Sequence, residues 1–187
     1  MSTRSQSTRP SALAVREAAV GPADPGALQA SRYAQILRDH APGLRRVASR
    51  YAHSEAERED LAQDLALAIW CALPKFRGEA SLRTFAFRIA HNRAITYLRK
   101  RRATDGEREV LDPTPSPQHI LEDRSDRQRL MDAIETLPLN LRQVLILSLE
   151  GMSYTSVGRV VGITEKNVSV RLTRARKALR ARLRGMQ

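Results

Sequence analysis

The C-terminal part of the chain carries hydrogen-bonding and cationic side chains at spacings that suit contact with nucleic acid. Four apolar residues recur at helical intervals, Val168, Leu172, Ala175 and Leu179, and predict the face by which a helix packs on its own domain. The side chains between them must point elsewhere: Lys166, Ser169, Val170, Thr173 and Arg174. Arginine can bond guanine through two donors, serine can bond either base edge, and valine or threonine methyls can contact thymine. The flanking cations Arg171, Arg176 and Lys177 suit phosphate contacts, which position a protein without specifying sequence.

A shorter helix is predicted immediately before this one. Ser153 is its expected N-cap, Gly162 closes it, and Thr164 caps the helix that follows. Two helices joined by a tight glycine-containing turn, the second amphipathic and cationic, indicate a helix-turn-helix that presents its second helix to the major groove. Gly158 inside the first helix costs about 1 kcal/mol against alanine, and a close helix crossing would explain its presence.

Earlier in the chain, aromatic side chains are interleaved with cations. The set comprises Phe76, Arg77, Phe85, Phe87, Arg88 and Tyr97. Aromatic faces can stack bases that have left the duplex, while arginines hold the backbone. Asn92, on the same predicted helix as Arg88, could read a base edge. Rings at helical spacing also build a core, so Phe85 is expected to be core and Phe87 is compatible with either role.

The distribution of charge predicts two modules that meet the same polyanion. The formal net charge is +12. Residues 31–102 contain 15 basic and 7 acidic residues, residues 127–187 contain 12 and 4, and residues 103–126 between them contain 2 and 7. Two basic blocks on an acidic connector suit nucleic acid as the partner, although two solvated charged faces would have the same composition.

Periodicity and cap residues predict an all-α chain of two small helical domains. Residues 1–30 lack a sustained apolar period and are interpreted as a flexible leader. In residues 31–102, one helical stretch is interrupted at Pro42-Gly43, a second starts at Ser54, and a third runs from Ser81 to Arg102. Residues 103–126 are acidic, have prolines at alternate positions and are expected to form a flexible linker. Residues 127–187 contain four further helices, which can bury a small core.

The composition argues against an enzyme, a disulfide-stabilised protein and a membrane protein. The single cysteine, Cys71, fits a reducing compartment, and its apolar neighbours predict a buried thiol. The four histidines are scattered, so no metal or cofactor is expected, and neither a glycine-rich phosphate loop nor a nucleophile elbow is present. No apolar run approaches the ~20 residues that span a bilayer, and no secretion signal is evident. The expectation is a cytoplasmic, non-catalytic protein.

Several short segments, taken in order, resemble RNA polymerase sigma factors of the extracytoplasmic-function group. Those resembling region two are Asp60-Leu61-Ala62-Gln63-Asp64, Trp70, Phe76-Arg77-Gly78, Ser81-Leu82-Arg83-Thr84-Phe85 and Arg88-Ile89-Ala90-His91-Asn92. Those resembling region four are Leu137-Pro138, Arg142-Gln143-Val144, Glu150-Gly151-Met152-Ser153-Tyr154 and Arg171-Leu172-Thr173-Arg174-Ala175-Arg176. The resemblance implies a three-helix bundle and a helix-turn-helix domain, binding to core RNA polymerase, recognition of promoter DNA and an anti-sigma partner.

The resemblance also implies roles for the matching residues. Asp60, Gln63 and Asp64 stand where such factors hold the clamp helices of the largest polymerase subunit. Phe76 through Ser81, with Arg77 and Gly78 among them, match the loop that captures a flipped base of the minus-ten element, and Asn92, beside Arg88, matches the adjacent base pocket. Ser169, Val170, Thr173 and Arg174 match positions that read the minus-thirty-five element. The acidic connector resembles the segment that threads the polymerase channel.

The chain departs from the pattern of that group at a few positions. Phe85 stands where Trp is common, Thr96 where Asp is frequent, Val170 where a polar residue is usual, and Ser156-Val157-Gly158 replaces Glu-Ile-Ala.

Two other functions fit parts of the chain. A stand-alone helix-turn-helix regulator would leave the Gln63-Asp64 surface and the base-pocket loop unexplained. The second alternative is a helical interaction module without DNA binding, which mobility shifts that ignore both salt and promoter sequence would favour.

Overall fold

The computed structural model describes residues 24–104 and 126–184, which form helices joined by short turns. Helix α1 spans Pro25–Ser49, α2 spans Glu55–Ala72 and α3 spans Leu82–Thr104, with a single 3-10 turn, Leu73–Lys75, after α2. Helix α4 spans Asp126–Glu135, α5 spans Leu139–Leu149, α6 spans Tyr154–Val161 and α7 spans Glu165–Arg184. The described ranges contain no strand, and the predicted all-α fold is confirmed. Most of the predicted leader (1–23) and linker (105–125) lies outside the described residues.

Helix α1 begins six residues earlier than its apolar pattern predicts. The Asp24 carboxylate accepts a hydrogen bond of 3.1 Å from the backbone N–H of Gly26, and Pro25 occupies the first helical position, where its missing N–H costs nothing. Residues 25–30, predicted to belong to the flexible leader, are therefore helical. Almost all of them are exposed, so this part of the helix has no apolar periodicity from which it could have been predicted.

The predicted interruption at Pro42-Gly43 is wrong, because α1 continues through it. Ile36, Leu44 and Val47 are buried on both sides of the proline, and this shared packing outweighs the backbone hydrogen bond that proline cannot donate. Gly43 itself is buried. A Cβ atom at Gly43 would lie 2.9 Å from a carboxylate oxygen of Glu150 and 3.0 Å from the Phe87 ring, so glycine permits a close approach of another part of the chain.

The predicted caps of α2 and α3 are confirmed. Ser54 accepts a hydrogen bond of 3.1 Å from the backbone N–H of Glu57, and the Glu57 carboxylate accepts from the backbone N–H of Ser54 and of His53. These two backbone hydrogen bonds hold the pKa of Glu57 below its ordinary value. At α3, the Ser81 hydroxyl accepts a hydrogen bond of 3.1 Å from the backbone N–H of Thr84. Local sequence thus determines where both helices start.

Two groups of helices contribute to the buried core. In α1–α3 and the turns between them the large, fully buried side chains are Ile36, Val47, Tyr51, Leu61, Leu65, Ile69, Leu73 and Phe87. In α4–α7 they are Ile134, Ile146, Leu147 and Leu172. Helices α5 and α7 pack against each other, and α6 lies across both.

The two groups also pack directly against each other, with α3 against α6. The guanidinium of Arg46 donates to the Glu150 carboxylate at 3.0 and 2.6 Å, and the Glu150 side chain is only 3% exposed. Arg83 donates to the backbone carbonyl of Glu150, and the hydroxyls of Thr84 and Ser156 lie 3.4 Å apart. Polar contacts therefore join the two helical groups.

Arg142 and Tyr51 extend this junction. The buried Arg142 guanidinium lies 5.6 Å from the centroid of the Tyr51 ring and donates to the backbone carbonyl of Glu135 at 3.1 Å. Tyr51 is 1% exposed, and burial raises the pKa of its hydroxyl above the ordinary value. A cation stacked on an aromatic ring is worth more when both are desolvated, so this contact adds to the attraction between the groups.

Candidate nucleic-acid interface

Helices α6 and α7 form the predicted helix-turn-helix. The Ser153 hydroxyl accepts a hydrogen bond of 3.2 Å from the backbone N–H of Ser156 at the start of α6. Gly162 ends α6 in the left-handed conformation, with φ of 77°, which glycine adopts without steric strain. Thr164 accepts from the backbone N–H of Asn167 at 3.3 Å and starts α7. The three predicted caps are confirmed, and they set the angle at which α7 leaves the turn.

The turn packs against α6 at Gly158. A Cβ atom there would lie 2.6 Å from the backbone carbonyl oxygen of Ile163, so the close approach comes from the turn itself rather than from the helix crossing predicted for Gly158. Helix α7 is also tied to α6 by a 2.8 Å hydrogen bond from the Thr155 hydroxyl to the Glu165 carboxylate. Both contacts rigidify the pair, which is what precise docking in a groove requires.

Helix α7 buries the predicted side and exposes the predicted contact residues. Val168, Leu172 and Ala175 are fully buried. The exposed contact residues are Lys166, Ser169, Val170, Thr173, Arg174 and Arg176, and Arg171 is half-buried beside the core. The Thr173 hydroxyl donates to the backbone carbonyl of Ser169 at 3.0 Å. The helix thus presents a polar face with one apolar residue, Val170, at 42% exposure.

The loop between α2 and α3 surrounds a cavity of about 260 Å³. Its lining residues are Lys75, Phe76, Arg77, Glu79, Ala80, Phe85 and Arg88. The rings of Phe76 and Phe85 form its aromatic part, with centroids 4.9 Å apart. Phe85 is buried, as predicted, and Phe76 is half-buried. The arrangement combines aromatic surface with cations around one opening, which is the chemistry that holds an unstacked base.

Two arginines lie against these rings. The guanidinium of Arg88 lies 5.7 Å from the Phe85 centroid, and that of Arg32 lies 5.2 Å from the Phe76 centroid. Arg32 belongs to α1 and was not identified from the sequence, because no local pattern connects it with a loop more than 40 residues later. Phe87, in contrast, is 2% exposed and belongs to the core.

Three other predicted residues, Gly78, Ser81 and Asn92, do not line the cavity. Gly78 has a φ of 77°, which suits glycine and lets the loop turn back. Ser81 caps α3 instead of lining the cavity. Asn92 is exposed on α3, one turn beyond Arg88, and is not among the lining residues.

Helix α2 exposes the polar residues predicted from the sequence, and one of them is ion-paired with a residue of α3. Asp60 and Gln63 are exposed. The Asp64 carboxylate accepts two hydrogen bonds of 2.6 Å from Arg93 of α3, and this pairing raises the pKa of Arg93. Arg93 was missed from the sequence, because it lies 29 residues from its partner. It fixes the direction in which Asp64 points.

The same face of α2 continues with apolar side chains. Leu67 is 60% exposed, and Cys71, one turn further, is also exposed. The predicted burial of the Cys71 thiol is therefore wrong: Leu61, Leu65 and Ile69 supply the buried side of α2, and Cys71 falls outside it. An exposed apolar strip next to polar residues is typical of a surface that contacts another protein.

Comparisons with known proteins agree with this architecture. Residues 36–104 match the family model of Sigma-70 region 2, and residues 127–179 match that of Sigma-70 region 4. The chain is 30% identical over 172 residues to RNA polymerase sigma factor NccH of Alcaligenes xylosoxydans xylosoxydans, covering 86% of this chain and 92% of that protein. It is 28% identical over 145 residues to the ECF RNA polymerase sigma-E factor of Escherichia coli K12, covering 70% and 75%.

Solved structures of related proteins have the same fold. The sigma factor RpoE from Bartonella quintana, solved with the anti-sigma factor NepR, is 25% identical with a TM-score of 0.66, covering 81% of this chain and 96% of that one. CnrH, solved with the cytosolic domain of CnrY, is 25% identical with a TM-score of 0.65, covering 88% and 100%.

The fold and the site define a helical protein with a helix-turn-helix and a second, aromatic and cationic surface. The chain belongs to the RNA polymerase sigma factors of the extracytoplasmic-function group. Its function is that of the family, the initiation of transcription at promoters. Every helix in residues 24–104 and 126–184 is too short or too polar to cross a bilayer.

Proposed function

We propose that the chain divides promoter recognition between two domains, residues 25–102 and 127–187, joined by residues 103–126. The second domain reads the minus-thirty-five element as duplex through α7, and the first binds the minus-ten element as separated strands. The observation that carries this proposal is the outward orientation of Lys166, Ser169, Val170 and Thr173 on one exposed face of α7. Cations beside that face supply the phosphate contacts that hold the helix in register.

Strand separation in this proposal is driven by binding alone. The cavity lined by Phe76 and Phe85 accepts an extruded base, and Arg77 and Arg88 hold the adjoining backbone. Extruding a base costs a few kcal/mol, which binding in a fitted pocket offsets without a chemical fuel. The protein needs no catalytic residue, cofactor or metal for this step, and it acts in the cytoplasm, where the nucleic acid and the polymerase are.

The exposed face of α2 is proposed to bind the clamp helices of the largest polymerase subunit. Asp60 and Gln63 offer exposed polar groups, and Asp64 is held in a fixed direction by Arg93. Leu67 adds an apolar contact beside them. A mixed polar and apolar strip of this kind suits a protein partner better than a polyanion, which the acidic residues would repel.

Control by an anti-sigma factor is part of the proposal. RpoE of Bartonella quintana was solved with the anti-sigma factor NepR, and CnrH with the cytosolic domain of CnrY. The present chain shares their fold over more than four-fifths of its length.

Run-off transcription with core polymerase on genomic fragments tests the proposed function. No transcript at any site, or no complex with core polymerase, would leave a stand-alone DNA-binding regulator as the better interpretation.

Replacing Arg174 by alanine is expected to relax the choice of base at one promoter position. A bidentate arginine contact to a base contributes about 1–3 kcal/mol of discrimination, and Arg174 is exposed on α7. The measurement is the ratio of affinities for the selected minus-thirty-five sequence and its single-base variants. Arg176→Ala is the matched control, expected to weaken all these duplexes equally. An equal loss on all duplexes for Arg174→Ala would contradict base reading by that residue.

Replacing Asn92 by alanine is expected to impair promoter opening while leaving polymerase binding unchanged. Asn92 is exposed on α3, one turn beyond Arg88 of the cavity lining, and its amide can bond a base edge. Permanganate reactivity of unpaired thymines reports opening, and co-purification reports assembly. Gln63→Ala is the reciprocal variant, expected to weaken assembly. A wild-type permanganate pattern for Asn92→Ala would contradict a role of Asn92 in promoter opening.

A further inference from the structure

The cavity lined by Phe76 and Phe85, referred to below as the aromatic cavity, has one acidic residue in its lining, Glu79. The other charged residues of the lining are cations: Lys75, Arg77 and Arg88. Glu79 lies in the loop between α2 and α3 and is exposed. A carboxylate and several positively charged groups therefore border the same space of about 260 Å³.

No contact within the protein accounts for Glu79. Among residues 24–104 and 126–184, no hydrogen bond or ion pair involves its carboxylate, although three cations line the same cavity. Glu79 does not cap α3 either, because the Ser81 hydroxyl accepts the hydrogen bond from the backbone N–H of Thr84. The carboxylate is therefore available to a molecule that enters the cavity.

The sign of its charge excludes Glu79 from phosphate binding. A carboxylate repels the phosphates that the neighbouring cations attract, and like charges brought together at an interface weaken binding. A fourth cation at this position would hold a nucleic-acid backbone better than an acid does. The part of a nucleotide that a carboxylate can bind is a hydrogen-bond donor on the base.

The four bases differ in what they offer to a carboxylate. An extruded base is read through its Watson–Crick edge. Adenine, cytosine and guanine each carry an exocyclic amino group on that edge, and an amino N–H donates to a carboxylate, as in the contact of glutamate with cytosine N4. Thymine has a carbonyl oxygen on both sides of its ring N–H, and these oxygens repel a carboxylate. Glu79 thus favours a base with an amino group over thymine.

We propose that Glu79 is a specificity-determining residue of the aromatic cavity, which accepts a hydrogen bond from the exocyclic amino group of the extruded minus-ten base and excludes thymine. The inference rests on the proposed function, since the cavity must hold an extruded base before Glu79 can read it. The rings of Phe76 and Phe85 supply stacking, which tolerates any base. Glu79 supplies the choice among bases.

Binding of the holoenzyme to premelted promoters tests this proposal. The chain is assembled with core polymerase, and the probes carry a promoter found by run-off transcription, with the minus-ten element mismatched so that its non-template bases are already unpaired. Premelting removes the different strengths of A·T and G·C pairs from the comparison. Abasic sites introduced one position at a time locate the extruded base, since its loss should weaken binding of the wild type more than binding of Phe76→Ala.

At that position, thymine is expected to bind the wild-type holoenzyme roughly tenfold more weakly than the preferred base with an amino group, as for one hydrogen bond to a charged group. Glu79→Gln removes the charge, and its amide can donate to a thymine carbonyl, so the ratio is expected to fall to about twofold or less. Each ratio compares bases on the same variant, so any loss of folded protein cancels.

Asp39→Asn is the matched control. Asp39 is an exposed acid of α1 that does not line the cavity, so this variant should keep the wild-type ratio. An unchanged ratio in Glu79→Gln overturns the proposal, and so does a wild type that prefers thymine at this position. Failure of the proposed function appears differently: at no position would an abasic site distinguish the wild type from Phe76→Ala.

Discussion

Lowering the pH from 7.5 to 4.5 is expected to remove about 2–3 kcal/mol of folding stability through His91 alone. His91 lies on α3 and is 4% exposed. Burial lowers its pKa from 6.5 to about 4, because the charged imidazolium would lose its hydration there. In the unfolded chain the imidazole binds a proton as the pH falls through 6.5. The folded protein binds it only near pH 4, so the stabilisation is complete above pH 6.5 and is lost below it.

The measurement is urea unfolding at both pH values for the wild type, His91→Leu and His91→Gln. Neither replacement titrates, so both should lose about 2–3 kcal/mol less than the wild type between the two pH values, whatever their stability at pH 7.5. Carboxylates that titrate over the same range contribute equally to all three proteins and cancel in the difference. An NMR titration of the His91 ring with a midpoint near 6.5 would contradict the expected burial of the neutral form.

Replacing Arg46 by alanine is expected to weaken the contact between the two helical groups by about 2 kcal/mol. Removing one partner of a fully buried ion pair costs about 3–5 kcal/mol, because the other charge stays buried and unpaired. Glu150 is 3% exposed, but Arg46 is 53% exposed, so water reaches one side of the pair and lowers the effect. The Arg83 contact to the Glu150 carbonyl remains, and it does not neutralise the carboxylate.

Hydrogen exchange of the α5–α6 turn reports this change. Backbone amides around Glu150 and Met152 should exchange roughly 30-fold faster in Arg46→Ala, as expected for a loss of about 2 kcal/mol, while amides in the middle of α2 stay protected. Arg58→Ala is the matched control, because its partner Glu55 is 77% exposed and exposed pairs contribute at most about 1 kcal/mol. Equal protection in Arg46→Ala and wild type would show that the junction is held by other contacts.

Arg46→Ala also bears on how the two proposed promoter-binding surfaces come apart. The contacts from Glu150 to Arg46 and from Ser156 to Thr84 hold α6 next to α3, whereas two promoter elements two helical turns apart span about 70 Å. The polar character of this junction makes it separable, since water can satisfy the same groups after separation. Tyr51 and Arg142 are the exception, because each is buried where the groups meet.

Much of the interface could be predicted because its determinants are local. The spacing of Val168, Leu172 and Ala175 predicted which side of α7 is buried, and Ser153 and Thr164 predicted where α6 and α7 begin. Caps and periodicity depend on residues within one or two turns, so the sequence carries them directly. The effect of a proline inside a helix and the exposure of a single side chain were harder to predict. Pro42-Gly43 was expected to interrupt a helix that packing preserves, and the apolar neighbours of Cys71 wrongly predicted its burial.

The sequence by itself determined an all-helical chain, the positions of the helix-turn-helix and its caps, and the side chains that α7 exposes, because these follow from hydrogen bonding and apolar spacing along the chain. Only the tertiary structure decided that Asp64 is held by Arg93, that Arg32 lies on Phe76, and that Glu150 is buried against Arg46. The last partners are 104 residues apart. Contacts across such separations depend on how whole helices pack, and no local pattern records them.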